Sequence, residues 1–125
     1  MRLPVTRAPG PDLEALRSRF MERVRRDLVA LGEAVEAFES GVRPAEDVHA
    51  EMRTILHRLA GSAGSFGWPE IGLRARRFEE RLGERVEGRA DPLLTIARWR
   101  AEIAGLAGLL PETPGQPRPS HAAGG

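Results

Sequence analysis

Apolar residues recur every three or four positions along most of the 125-residue chain, which is the spacing of one face of an α-helix. Short stretches rich in Gly and Pro divide this pattern into four segments. The first segment runs from about residue 12 to residue 40, with Asp12 placed to cap it and Gly41 placed to end it. Gly32 allows a break or kink in so long a helix. Its apolar stripe consists of Leu13, Leu16, Phe20, Val24, Leu28, Leu31, Val35 and Phe38.

The other three segments each begin at a proline, which suits the first turn of a helix. The second extends from near Pro44 to about Phe66, the third follows Trp68-Pro69, and the fourth follows Asp91-Pro92. The third carries one apolar stripe, made of Ile71, Ala75, Phe78, Leu82 and Val86. The fourth carries two stripes, one of Leu94, Ala97, Ala101 and Ala104 and one of Ile96, Trp99, Ile103, Leu106 and Leu110. So wide an apolar face predicts a helix deep in a bundle.

Four amphipathic helices joined by short connections pack as antiparallel neighbours. We therefore predict an all-α fold, an antiparallel up-and-down four-helix bundle over residues 12–110. Residues 1–11 and 111–125 are rich in Pro, Gly and small residues and cannot bury enough apolar surface to order themselves. We expect them to form flexible N- and C-terminal tails.

The composition restricts the possible functions. The absence of cysteine excludes a disulfide framework and favours a reducing, cytoplasmic setting. No apolar run approaches the roughly 18 residues of a membrane span, and we expect no membrane partner. The 19 basic residues, all arginine, are balanced by 18 acids interleaved with them, which favours solvated helix surfaces over nucleic-acid binding.

The sequence also offers little for a metal or a cofactor. Only His49, His57 and His121 are available as imidazole ligands, and no two of them form an HxxxH pair. The glycines near His57 follow no strand and no lysine is present, so a nucleotide-binding loop is excluded. We expect neither a metal site nor a bound cofactor.

The run HRLAGSAGSFG, residues 57 to 67, places a histidine among small residues. At 100° per residue, His57 points away from the apolar stripe of its helix, which consists of Val48, Met52, Ile55, Leu59, Ala63 and Phe66. The residues on its own side are Ala50, Arg53, Thr54, Ala60, Gly61 and Gly64. Each helical glycine costs about 1 kcal/mol relative to alanine, which calls for a compensating role.

Three explanations account for the two glycines. They allow close packing between helices, or the helix ends near Gly61, or another macromolecule approaches the imidazole closely. The apolar stripe continues past Gly61 to Phe66, which argues against an early end. Gly61 and Gly64 lie away from the stripe, which argues against helix packing. We therefore favour an exposed histidine at a docking surface formed by Thr54, Ala60, Gly61 and Gly64.

The pattern His57-x-Leu59-x-Gly61, with Ser62 inside the run and Gly67 at its end, resembles the H-x-L-K-G-x-S-x-x-x-G signature of histidine phosphotransfer (HPt) domains. That family also has the four-helix fold predicted above. The resemblance implies that Nε2 of His57 carries a phosphoryl group between aspartates of receiver domains, those of response regulators and of a hybrid histidine kinase. It implies a phosphoryl carrier in a two-component phosphorelay rather than a turnover enzyme, with Mg²⁺ supplied by the receiver.

The chain departs from the signature at Ala60, where the family has lysine. That lysine reaches back toward the phosphoryl group and makes a charge-assisted contact with it. The resemblance therefore implies a missing cation, and Arg58 and Arg53 on the same helix are our candidates to replace it. Arginines of the third helix are further alternatives, namely Arg74, Arg76 and Arg77.

A function of another class stays open, that of a non-catalytic adaptor which docks receiver domains without carrying phosphate. Ala60 is its only support, and the intact His57 argues against it. A small docking surface suits transient pairing, so we expect a monomer.

Overall fold

The structure is a computed structural model and describes residues 12–83 and 92–111. Its helices are α1 (Leu13–Ser40), α2 (Ala45–Ser62), α3 (Pro69–Gly83) and α4 (Pro92–Ala107), and a short 3-10 helix, Ala63–Phe66, follows α2. No strand occurs in these two ranges. The prediction of an all-α four-helix bundle is therefore confirmed.

The helices form a ring in which each one contacts the helices before and after it along the chain, and α4 closes the ring against α1. Within the described residues, the backbones of the diagonal pairs lie farther apart, and the rings of His49 on α2 and Trp99 on α4 meet across one diagonal with 5.2 Å between centroids. The contact between α2 and α3 is the most extensive, and that between α3 and α4 is the smallest. The α2–α3 pair is thus the best-packed part of the bundle and the firmest support for a site.

Both ends of α1 follow their local sequence signals. Asp12 caps the N-terminus, because its Oδ1 accepts a hydrogen bond from Glu14 N at 3.1 Å. Gly41 ends the helix with a left-handed φ of 75°, and its N–H donates to the carbonyls of Ala37 and Phe38. Gly32 lies inside the continuous helix, so no break occurs there.

The predicted core stripe of α2 is confirmed: Val48, Met52, Ile55, Leu59 and Ala63 are buried, and Phe66 is partly buried against them. The stripe of α3 is buried as far as Leu82, and Val86 lies outside the described residues. Some buried residues lie beside the predicted stripes, namely Met21, Asp27, Ala34 and Leu56.

The prediction that α4 lies deep in the bundle is wrong. Its stripe of Ile96, Trp99 and Leu106 is buried, and Ile103 and Leu110 pack partly against the core. Its other stripe, Leu94, Ala97, Ala101 and Ala104, is exposed. A helix at the corner of a ring of four turns only one stripe toward the interior, and alanine is small enough to remain at the surface without a large cost.

The connection between α2 and α3 is fastened to α1 by aromatic and cationic contacts. The ring of Phe20 stacks on that of Phe66, with 4.7 Å between centroids. The guanidinium of Arg17 lies 4.7 Å from the centroid of the Trp68 ring, and its Nε donates to the carbonyl of Phe66 at 3.1 Å. Gly67 reverses the chain with a left-handed φ of 92°, which glycine adopts readily. These contacts fix how α3 returns along α2.

Pro111 is buried, and its carbonyl accepts a hydrogen bond from Arg25 Nη2 at 2.8 Å. The packed chain therefore extends one residue into the segment predicted to be a C-terminal tail. The rest of that predicted tail, residues 112–125, and the predicted N-terminal tail, residues 1–11, lie outside the described residues.

Candidate functional site

His57 lies on the outer side of α2, and 79% of its side chain is exposed. The core residues Ile55, Leu56 and Leu59 hold this stretch of helix against the bundle. The imidazole therefore stands on a rigid element while its ring remains open to solvent. A side chain that is exposed and held on a firmly supported helix is accessible to a partner molecule in a fixed position.

One hydrogen bond orients the imidazole. Nδ1 of His57 lies 3.0 Å from Oε2 of Glu79 on α3, and the Glu79 side chain is only 21% exposed. A carboxylate can only accept a hydrogen bond, so Nδ1 carries the hydrogen. In the neutral ring, the lone pair then lies on Nε2, on the exposed side. The contact thus selects the tautomer whose free nitrogen can attack an incoming group.

The role of Glu79 was not predicted from the sequence. Glu79 lies on α3, which is antiparallel to α2. A close contact near the connection of the two helices sets their register, that is, which residues of α3 lie opposite which residues of α2. A Cβ on the buried Gly72 would lie 3.2 Å from the carbonyl oxygen of Ala60 and 3.4 Å from Ala63 Cβ. Two helical turns further along α3, this packing brings Glu79 opposite His57. Only an estimate of this register could have identified Glu79 from the sequence.

The two glycines near His57 face open space. A Cβ on Gly61 or Gly64 would meet no atom of the described chain within 4 Å, so neither glycine is needed for packing between these helices. The helical path also continues beyond Gly61, first to Ser62 as α-helix and then to Phe66 as 3-10 helix. The surface beside the imidazole is therefore bare for a reason other than helix packing or helix termination.

The remaining residues predicted for the docking surface differ in their surroundings. Thr54 is exposed and lies on the same side of α2 as His57. Ala60 is partly buried, because it packs against the core at the edge where α2 meets Gly72. The structure thus places Thr54, Gly61 and Gly64 on the open surface and Ala60 in the shallow groove between α2 and α3.

The two arginines predicted to stabilise a phosphoryl group point in different directions. Arg58 reaches to α1, where its Nη2 donates to Oδ1 of Asp27 at 3.3 Å. Burial raises the pKa of the Asp27 carboxyl above its ordinary value, and the nearby positive charge of Arg58 opposes that shift. Arg53 is exposed one turn before His57 and makes no ion pair within residues 12–83 and 92–111.

The serine of the signature falls at Ala63 when its positions are counted from His57, and Ala63 is fully buried. Ser62 is one position earlier, and its hydroxyl donates to the carbonyl of Arg58 at 2.9 Å. Ser62 therefore completes a local hydrogen bond of the helix and does not take the place of the signature residue.

No group of three or more His, Cys, Asp or Glu side chains converges within the described ranges in a way that could hold a metal ion. Among the described helices, none is both long enough and apolar enough to cross a bilayer.

A four-helix bundle with one oriented, exposed histidine beside a bare surface is the arrangement expected of a histidine phosphotransfer protein. A sequence model of the family described as Hpt domain matches residues 15–108 of this chain. No curated protein and no solved structure matches the chain significantly. The family match spans all four helices, and the chain belongs to the Hpt domain family.

Membership in this family establishes a coarse function. Hpt domains are phosphotransfer carriers of two-component phosphorelays and interact with receiver domains. The chain therefore has a phosphotransfer role in signal transduction.

Proposed function

We propose that His57 is phosphorylated on Nε2 and passes the phosphoryl group between aspartates of receiver domains, from a hybrid histidine kinase to a response regulator. The observation that carries this proposal is the 3.0 Å hydrogen bond from Nδ1 of His57 to Glu79 on an imidazole that is otherwise exposed. It leaves Nε2 as the free nucleophile. His57 also holds the histidine position of the motif that resembles the family signature, and it lies within the matched residues 15–108.

The transfer step needs no proton movement at His57. The lone pair of Nε2 attacks the phosphorus of an aspartyl phosphate, the bond from phosphorus to the acyl oxygen breaks, and the aspartate leaves as a carboxylate. The imidazole ring now bears a positive charge, and Nδ1 keeps its hydrogen. The Glu79 carboxylate faces that charge through the existing hydrogen bond, so it stabilises the phosphorylated ring as well as orienting the free one. The reverse steps deliver the group to the second receiver.

The receiver docks on the bare surface beside His57. Gly61 and Gly64 allow a close approach because no side chain rises from them, and Thr54 supplies the exposed edge on the other side of the ring. The aspartate pocket and its Mg²⁺ come from the receiver, so this chain does not have to supply a metal. Such a small contact suits brief encounters by a monomer, in the cytoplasm where the partner domains meet it.

Arg53 is the better of the two cations predicted on α2 to face the phosphoryl group. It is exposed on the same side as His57 and has no described ion-pair partner. Arg58 is less suited, because its guanidinium is held by the buried Asp27 on α1. Release of Arg58 would leave the Asp27 carboxylate without its cation, which is unfavourable in a partly buried position.

An adaptor that only docks receivers is the alternative, and the absence of lysine at Ala60 is the observation that favours it. A reconstituted relay of the kinase, the first receiver, this chain and the second receiver distinguishes the carrier function from the adaptor function. We expect phosphate on the second receiver with the wild-type chain and none with His57→Gln. Signal passage that survives His57→Gln would overturn the carrier function and support the adaptor.

A further inference from the structure

Gly72, Arg76 and Glu79 occupy one face of α3, because positions i, i+4 and i+7 of a helix lie in a row. The two ends of this row both contact α2. A Cβ on Gly72 would lie 3.2 Å from the carbonyl oxygen of Ala60, and Glu79 accepts the hydrogen bond from His57. Arg76 lies between them and therefore stands over the α2–α3 groove, at the level of His57 and Ala60.

Arg76 is exposed and has no hydrogen-bond or ion-pair partner among the residues the structure describes. Two acids lie near Arg76 on the surface of α3, Glu79 at i+3 and Glu80 at i+4. The Glu79 carboxylate is already bonded to His57, and Glu80 forms no ion pair with Arg76 in the structure. The Arg76 guanidinium is therefore free to meet an anion.

The other arginines of α3 lie elsewhere. The side chain of Arg74 crosses to α4, where its guanidinium occupies the space that a Cβ on Gly105 would need. Arg77 is one residue after Arg76 and is therefore turned about 100° around the helix, away from the row that meets α2. Arg81 forms an ion pair with a glutamate of α4. Arg76 is thus the one arginine of α3 whose position on the helix places it at the groove.

We propose that Arg76 binds the phosphoryl group on His57 and supplies the positive charge that the chain lacks at Ala60. This inference rests on the proposed function of His57 and adds a phosphoryl-binding residue from a different helix. A guanidinium suits the role, because its planar fork can donate two hydrogen bonds to phosphate oxygens. The same cation meets the aspartyl phosphate of a docked receiver while the group is being transferred.

The test compares Arg76→Ala with Arg77→Ala, which removes the same charge one position away. Both chains are loaded with labelled phosphate from a phosphorylated receiver, separated from it, and followed by the lifetime of the label on His57. Arg76→Ala is expected to shorten that lifetime about three- to tenfold, whereas Arg77→Ala leaves it within about twofold of wild type. Circular dichroism melting verifies that both variants fold.

A second variant tests whether the charge itself matters. Adding Ala60→Lys to Arg76→Ala restores lysine at the signature position and is expected to recover most of the lost lifetime. Equal lifetimes in wild type and Arg76→Ala, or equal losses in both arginine variants, would overturn the role of Arg76 while leaving the carrier function intact. An unlabelled wild-type chain would overturn the carrier function, and the role of Arg76 with it.

Discussion

Replacing Glu79 with alanine isolates the contact on which the proposed mechanism depends. The substitution removes the only hydrogen bond of the His57 ring within the described chain, that from Nδ1 at 3.0 Å, and leaves the imidazole in place on α2. The ring then loses its preferred tautomer and rotamer, and the positive charge formed on phosphorylation loses its facing carboxylate. We expect slower transfer in both directions.

The exposure of His57 sets the size of this effect. A hydrogen bond to a charged group contributes about 1.5–3 kcal/mol where it is well shielded. His57 is 79% exposed, so water competes for Nδ1 and we reduce the contribution to roughly 0.5–1.5 kcal/mol. Since about 1.4 kcal/mol corresponds to a tenfold change in rate, Glu79→Ala is expected to lower the transfer rate between about two- and tenfold.

Rapid-quench measurement of phosphoryl transfer from a labelled receiver gives this rate directly. Glu80→Ala is the matched control, because Glu80 is exposed and turned about 100° from Glu79 on the same helix. Glu79→Gln keeps an acceptor oxygen without the charge and is expected to fall between wild type and Glu79→Ala. A wild-type rate in Glu79→Ala, or an equal loss in Glu80→Ala, would refute the role given to this carboxylate.

Three further predictions concern docking and stability. Gly61→Arg and Gly64→Glu should weaken receiver binding at least tenfold, as measured by calorimetry. The melting temperature should stay unchanged or rise, because each variant replaces a flexible glycine at a helical position with open space around it. Unchanged receiver binding in both variants would show that the docking surface lies elsewhere. Phe78→Ala should lower the free energy of unfolding by about 3–5 kcal/mol in urea titration, because Phe78 is fully buried. Leu73 is exposed, so Leu73→Ala should change the free energy of unfolding by less than about 0.5 kcal/mol. Equal effects of the two substitutions would contradict the assignment of Phe78 to the core. Burial raises the pKa of Asp27 above 3.8, so the folded chain binds more protons than the unfolded chain between that value and the raised pKa. The stability of wild type relative to Asp27→Asn should therefore fall as the pH rises through this interval in urea titrations, and a rise would contradict the shift.

Local signals in the sequence account for most of the fold. The period of apolar residues predicted four helices, and Asp12 and Gly41 marked the ends of α1 because capping depends on residues within one turn. The same period could not determine which stripe of α4 is buried. Leu94 and Ile96 are both apolar, and only the position of α4 in the ring turns Ile96 inward and Leu94 outward.

The candidate site, like the fold, could be predicted from the sequence only where its residues lie on one helix. His57 and the two exposed glycines share one side of one helix, so the 100° rotation per residue was sufficient to place them. Glu79 reaches His57 from another helix, at a level set by the contact of Gly72 with Ala60. The ion pair between Arg58 and Asp27 likewise joins two helices. Contacts that depend on how helices align against each other have no signal in the local sequence.

The most direct test of the central claim is the chemical stability of the phosphoryl bond formed on this chain. The chain is incubated with labelled, phosphorylated receiver domains of the same organism, and the transferred label is challenged with acid and with alkali. A phosphoramidate on His57 predicts label that is lost in acid, survives alkali and is absent from the His57→Gln variant. Label that persists in His57→Gln, or a receiver that binds the chain without transferring any label, would contradict the account.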